Sequence, residues 1–312
     1  MGKKSFFDNL IILVIIIVIF YIAILIFSDI NAIADKISNI QITYLPIIFS
    51  LVGVQLVVLG IKYHRMLKKL GINIPLNKGI KIYISGISLI ATPGGAGTAI
   101  KSHVLKKRYN VPLSRTLPTI FMERLTELVA ILIILSFFFY WTNLVESIFA
   151  IALGLIFTFI MYLLISKNKI FNSLKIFLNK INKLKKLSNS IDDSKESFLI
   201  LSRKNTFLEM IGWSLVAKLA QLFAVYFIFL SLNVDLGALL TGQIYYTSLV
   251  LGSLTFLPSG IVITESTMIA ILLNHGIDFS LATLLVIFTR LITTWFSTIL
   301  GIITLKTIQT SK

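Results

Sequence analysis

Along the chain, apolar residues gather into blocks of about 18 to 25, the length a helix needs to cross roughly 30 Å of hydrocarbon. Leu10–Phe27, Tyr44–Ile61, Leu117–Tyr140, Ser147–Ile165, Phe207–Leu230 and Leu281–Leu305 are each bounded by polar or turn residues. None alternates with the period of two that a spanning strand shows, so each predicts a spanning helix. Two further apolar segments, Gly79–Gly97 and Gly237–Gly260, climb through glycine and serine and stop at a Pro-Gly or Pro-Ser-Gly break. Each then runs on into a helix too polar or too short to span. Such segments read as re-entrant hairpins or broken full spans, which a membrane tolerates where the unpaired backbone is covered by protein or lines a wet cavity. The expected fold is an all-α polytopic membrane protein.

Composition agrees with this pattern. The 312 residues are 56% hydrophobic and 13% charged, and the mean hydropathy is +0.92, which excludes an ordinary water-soluble core. The first block follows Lys3 and Lys4 and precedes Ala32-Ile33-Ala34, which mimics a signal-peptidase site. It exceeds a usual signal core in length and is read as a retained helix.

A net charge of +16 would suggest nucleic acid in a soluble chain, but here the test is its sidedness. With the N-terminus inside and each interrupted segment leaving by the face it entered, loops 28–43, 141–146, 231–236 and 276–279 hold one basic residue, Lys36. Segments 62–81, 98–116 and 167–206, with both termini, hold nearly all the rest. A single crossing by Gly79–Gly97 would put Lys101, Lys106, Lys107, Arg108 and Arg115 outside, against the positive-inside bias. The expectation is a multi-pass protein of the cell membrane with both termini cytoplasmic, its basic face meeting anionic lipid and no nucleic acid. Between the spans, Ile170, Phe171, Leu174, Phe177, Leu178, Ile181 and Leu184 recur at helical spacing with lysines on other faces. This predicts an amphipathic surface helix over about 167–200, compatible with a linker between two halves.

The halves repeat. "LIATPGGAGTAI" and "SLTFLPSGIVITE" match Pro93 with Pro258 and Gly95 with Gly260. "VPLSRTLPTIFMERLTEL" and "IDFSLATLLVIFTRLITT" match Ser114 with Ser280 and Arg124 with Arg290, at offsets of 165 residues for the prolines and 166 for the arginines. Residues 1–146, with a hairpin at about 79–116, and residues 147–312, with a hairpin at about 237–276, form the two repeats. Each holds three crossings, an odd number, so the second copy lies inverted and the hairpin tips meet near the midplane. This is the plan of secondary transporters, in which half-helix N-termini point at an anionic group.

The intramembrane charges are Glu123, Arg124, Glu127, Lys218, Glu265 and Arg290, with Glu209 nearer an edge. An ionised side chain at mid-bilayer costs at least about 2.5 kcal/mol, so each is a candidate for function. Arg124 and Arg290 occupy equivalent places and are the leading phosphate ligands, since a guanidinium fork fits a phosphate bidentately. The hairpin residues Pro93, Gly94, Gly95, Gly97, Lys101, Pro258, Gly260 and Glu265 complete the expected lipid-binding site. Glu123, Glu127 and Lys218 are candidates for coupling or ion pairing. The plainer alternative is that Arg124 neutralises Glu123 or Glu127, and Arg290 neutralises Glu265, as pairs that fix helix register. Cysteine is absent, and His64, His103 and His275 stand apart. No metal site, cofactor or catalytic residue is therefore expected.

"TPGGAG" followed by a basic helix and "ERLTEL", then "LPSGIVITE" and "FTRLITTW", resembles the lysylphosphatidylglycerol synthase transmembrane-region family over essentially the whole chain. The resemblance implies a lipid-translocating module. Ser259 and Val262 depart from it, standing where the family commonly carries glycine. The soluble aminoacyl-transferase domain of the synthases has no counterpart here, so the chain is not expected to make lysyl-lipid itself. The reading is a flippase or scramblase for an anionic lipid: phosphatidylglycerol, its aminoacylated form, or a polyprenyl phosphate. With no Walker A pattern, movement would be downhill or ion-coupled, with Glu123, Glu127 or Glu265 carrying protons. The alternatives are a membrane scaffold for a separate lipid synthase or glycosyltransferase, and an intramembrane lipid-phosphate enzyme.

Overall fold

The computed structural model describes residues 36–90, 92, 97–142, 144–166, 185–255 and 257–310, and among these every regular element is a helix. Expectations for the span Leu10–Phe27, for Pro93, Gly94 and Gly95, and for residues 167–184 of the surface helix lie outside the described residues.

Helix α1, Leu45–Lys69, opens with Pro46, whose missing N–H costs nothing in a first turn. It buries Ile48, Val52, Leu56, Leu59, Tyr63 and Met66 at spacings of three and four, one stripe of a helix. The sequence placed the span's end at Ile61 and assigned residue 62 onward to the inner loop. Instead the stripe carries the helix two turns further and buries Lys62 completely. Then come α2, Leu76–Ile87, α3, Ile100–Tyr109, α4, Leu113–Thr142, and α5, Glu146–Ser166. These are followed by α6, Lys185–Leu201, α7, Lys204–Ser231, α8, Gly237–Ser253, and α9, Ile263–Asn274. The last are α10, Phe279–Arg290, and α11, Ser297–Thr310, joined by a π-helical turn at Leu291–Phe296.

Five stretches are long and apolar enough to cross a membrane: Ile42–Lys69, Leu113–Thr142, Glu146–Leu163, Lys204–Ser231 and Phe279–Thr310. They coincide with five of the predicted blocks, and the protein is a multi-pass membrane protein. Helix α5 turns Phe149, Leu153, Ile156, Phe159 and Ile160 outward, as a lipid-facing helix does. In α4, Pro118 cannot donate to the carbonyl of Ser114. The Ser194 hydroxyl on α6 donates to that carbonyl at 2.8 Å, so the break is satisfied by a neighbouring helix.

Contacts gather the connecting loops into two ends. At one, Lys36 donates to Asp278, the Gln41 N–H donates to the Ser231 carbonyl, and Asn274 donates to Glu146. These are the loops expected outside. At the other, Arg65 and Lys69 hold Glu209, Arg115 donates to the Leu70 carbonyl, and Ser114 donates to Asp193. The pair α2 and α3 starts and finishes at this second end, and α8 and α9 at the first.

Helix α1 packs along α7, α2 lies against α1 and α11, and α8 lies against α7 and α4. At the α2–α11 crossing, a Cβ on Gly301 would stand 2.9 Å from the Ile84 carbonyl oxygen, so only glycine allows that approach. One apolar core takes Tyr63, Met66 and Ile82 with Met122 and Leu125 of α4. The other takes Leu128 to Phe138 of α4 with Tyr246, Met268 and Leu285. Both α4 and α7 run through the two cores, and their polar residues fall at the seam.

Asp278 caps α10 by accepting from the Leu281 N–H at 3.0 Å and pairs with Lys36 at 2.6 Å. Partial burial pushes its carboxyl up, but the hydrogen bonds from Lys36 and Leu281 outweigh this and hold its pKa below the usual value. A depressed carboxyl stabilises the fold above its unfolded pKa, and the gain is lost as pH falls through the folded value. Asp278→Ala should therefore cost about 1 kcal/mol at neutral pH and measurably less at about pH 3, below the unfolded pKa. Thermal unfolding in detergent at the two pH values checks this.

Candidate functional site

Glu123 and Glu127 sit one turn apart on the buried face of α4, so their carboxylates share one side of the helix. The sequence offered Arg124 as their partner, but lysines from three other helices take that place. The Lys101 ammonium, from the first turn of α3, meets Glu123 at 2.5 Å, with both side chains buried. It also stands 4.8 Å from the ring centre of Tyr63 and 5.0 Å from that of Tyr83, within cation–π range. Lys62 of α1 and Lys218 of α7 each approach Glu127 at 3.3 Å, one at each carboxylate oxygen. Lys62 also donates to Ser214 at 3.0 Å, and Lys218 to Gln221 at 3.2 Å. Lys218 thus resolves toward pairing with a glutamate rather than reaching for the surface.

Arg124 follows Glu123 by one residue, about 100° around the helix, and turns its side chain to an exposed position. Among the described residues it has no hydrogen bond or ion pair, yet it lies close enough to act electrostatically on Glu127, Lys101 and Lys218. Seven residues earlier on the same face is Leu117, about 10 Å away along the axis. Leu117 lines an open, mainly apolar cavity of about 320 Å³ with Leu89, Gly97, Ala99, Ile100, His103 and Leu113. A cleft between α3 and the start of α4 therefore opens on the helix face that carries the arginine, about 10 Å from it.

Arg290 has different surroundings from Arg124. It is buried, its Nε donates to Glu265 at 2.6 Å, and its Nη2 donates to the Ser259 carbonyl at 2.8 Å. The π-helical turn starts at the next residue, and such turns frequently accompany functional sites. The helix after each break is thus tied to the helix that follows it by a buried ion pair, or latch, Lys101–Glu123 first and Glu265–Arg290 second, with the signs exchanged.

The two interrupted segments meet where the Ser259 hydroxyl donates to the Ile90 carbonyl at 3.4 Å. Gly97 donates its N–H to the Thr92 hydroxyl at 2.6 Å and packs against Leu89. Gly260 has φ +66°, and Ser259 and Val262, standing where glycine was expected, have φ +51° and +76°. A β-branched residue at that φ stores about 1–3 kcal/mol of strain. The tip therefore needs glycine-like backbone at positions that lack glycine.

Gly86 on α2 allows the first latch to form, because the Lys101 stem crosses it and a Cβ there would overlap that stem. Gly252 on α8 does the same for Thr264 on α9. Gly86→Ala should destabilise the protein by about 1–3 kcal/mol by overpacking and draw Lys101 off Glu123. Thermal unfolding of Gly86→Ala, of Glu123→Gln and of the double variant checks both effects. Two polar atoms near the latch, Glu123 Oε1 and Ser102 Oγ, are buried without a hydrogen-bond partner among the described residues. Buried polar atoms are ordinarily paired, so these await a partner.

Lys62 escaped the sequence reading because an apolar window ends at Ile61. Its place on the stripe of Leu56, Leu59 and Met66 was the available signal. At the basic end, Lys78, Lys81 and Arg108 line a second cavity of about 200 Å³ with Tyr109 and Thr307.

The family model described as "Lysylphosphatidylglycerol synthase TM region" matches residues 10–301. The UPF0104 membrane protein MJ1078 of Methanocaldococcus jannaschii is 32% identical over 67% of this chain and 88% of its own. The UPF0104 membrane protein PH1989 of Pyrococcus horikoshii is 27% identical over 80% of this chain and 82% of its own.

Proposed function

This chain belongs to the lysylphosphatidylglycerol synthase TM region family, and on that premise we propose that it is a transporter that moves an anionic lipid across the cell membrane. The head-group phosphate passes Arg124 and the charged layer between the two hairpins, while the hydrocarbon tail stays in the cleft lined by Leu113 and Leu117. The observation that carries this reading is Arg124 itself. It is a guanidinium in the interior half of an apolar span, exposed, with no ion pair among the described residues. A permanent charge is kept there at a cost that only a ligand or a water-lined path offsets.

The inverted repeat is part of the proposal, and further residues support it. Gln55 and Gln221, both buried, and Gly86 and Gly252, both at limb crossings, are separated by the same 166 residues as Arg124 and Arg290. Equivalent helices α1 and α7 pack on one another, as they do across a two-fold axis. The charge-reversed latches then open in turn, each freeing a hairpin limb from the helix that follows it. Arg290 takes up phosphate when Glu265 releases it. The basic end is cytoplasmic, and its cavity at Lys78, Lys81 and Arg108 gathers anionic head groups from that leaflet.

The test is reconstitution into phosphatidylcholine vesicles carrying labelled phosphatidylglycerol, phosphatidic acid or phosphatidylcholine, read with a membrane-impermeant quencher. The anionic lipids should reach the outer leaflet faster than in protein-free vesicles, and labelled phosphatidylcholine should not. Rates equal to those of empty vesicles for every lipid would overturn the proposal.

A further inference from the structure

The charges of the buried layer do not cancel. Three buried lysines, Lys62, Lys101 and Lys218, meet two carboxylates, Glu123 and Glu127, and the exposed Arg124 acts on the same group from its edge, among the described residues. A neutral lysine would need a donor for its lone pair, and the surroundings supply only acceptors. Lys62 has Glu127, Ser214, Thr126 and the Glu123 carbonyl within 3.4 Å. The two hydroxyls are themselves committed as donors, Ser214 to the Met210 carbonyl and Thr126 to the Met122 carbonyl. Lys218 meets oxygens of Glu127 and Gln221, and Lys101 meets a Glu123 oxygen and two aromatic faces. All three environments suit the ammonium form, so among the described residues the buried lysines exceed the carboxylates by one positive charge, and the exposed Arg124 adds a second at the edge.

In an apolar bundle such an excess calls for matching negative charge. A phosphodiester supplies one. A phosphate monoester supplies two once its second proton leaves, at about pH 6. Hydroxyl donors suit such a group too, and the buried Ser102 hydroxyl, in the first turn of α3 beside Lys101, has no partner among the described residues.

We infer that the head group this site receives is dianionic, a lipid ending in a phosphate monoester, held by Arg124 with Lys101 and Ser102. The inference rests on the transport reading and adds the substrate's charge state to it.

Wild-type protein in phosphatidylcholine vesicles tests this with labelled phosphatidic acid, a monoester, against labelled phosphatidylglycerol, a diester with the same acyl chains. At pH 8 phosphatidic acid should move faster by about tenfold. At about pH 5, where the monoester keeps one charge, the ratio should fall below about twofold. Lys218→Gln, which lowers the excess by one, should shift the pH 8 ratio toward the diester. Equal rates at pH 8, or a monoester advantage that pH does not change, would overturn the inference and leave anionic-lipid transport standing. Movement of neither lipid would overturn the transport reading and the inference with it.

Discussion

Arg124→Ala should abolish lipid movement, lowering the rate by about 100-fold or more, while leaving thermal stability within about 0.5 kcal/mol of wild type. The two halves of this expectation have separate causes. Stability is spared because the guanidinium is exposed and bonds to no described residue, so its removal leaves no buried partner unpaired. Transport is lost because the fork that would grip the phosphate is gone. Arg124→Lys should recover only part of the rate, because an ammonium keeps the charge but not the two parallel donors. A stable variant with unchanged transport would return Arg124 to the role of a bystander on a lipid-facing surface.

Glu127→Gln should have the opposite profile, a large loss of stability. Lys62 and Lys218 come from α1 and α7, the two helices packed along one another, and both approach this one carboxylate. Removing its charge leaves two buried ammonium groups facing each other in low dielectric. Breaking a buried pair in this way costs about 3–5 kcal/mol. Replacing Lys62 by Met in the Glu127→Gln background should return a large part of the loss, because the remaining repulsion disappears. Thermal unfolding of the single and double variants in the same detergent checks this. If the single variant unfolds with wild type, the three groups are not the buried, charged cluster described here.

Much of the fold was legible because membrane helices are governed by length and polarity, both written linearly in the chain. The blocks beginning at Tyr44, Leu117, Ser147, Phe207 and Leu281 all fall inside observed helices. The break at Pro258 was legible because Pro and Gly disrupt a helix locally. The charged residues were legible as a set, since a charge inside an apolar block is conspicuous. One pairing, Arg290 with Glu265, was legible as well, and the pairing of Glu123 and Glu127 was not. Arg124 is the sequence neighbour of Glu123, but neighbours on a helix point about 100° apart, and the partner that reaches Glu123 comes from α3 over Gly86. Lys62 was hidden by a hydropathy window that closed one residue too early. The strain at Val262 and the π-helical turn after Arg290 come from how the second hairpin closes on its neighbours, a tertiary fact without a linear signature.

The absence of cysteine makes the central claim open to a direct test, because one introduced thiol is the only one in the chain. Arg124→Cys in proteoliposomes can be treated with a methanethiosulfonate reagent that attaches an ethylammonium group, or with one that attaches a neutral methyl group. If a positive charge at this position carries the phosphate, untreated Arg124→Cys is inactive, the cationic reagent restores movement of anionic lipid, and the neutral reagent does not. Equal activity in all three states, or equal rescue by both reagents, would contradict it.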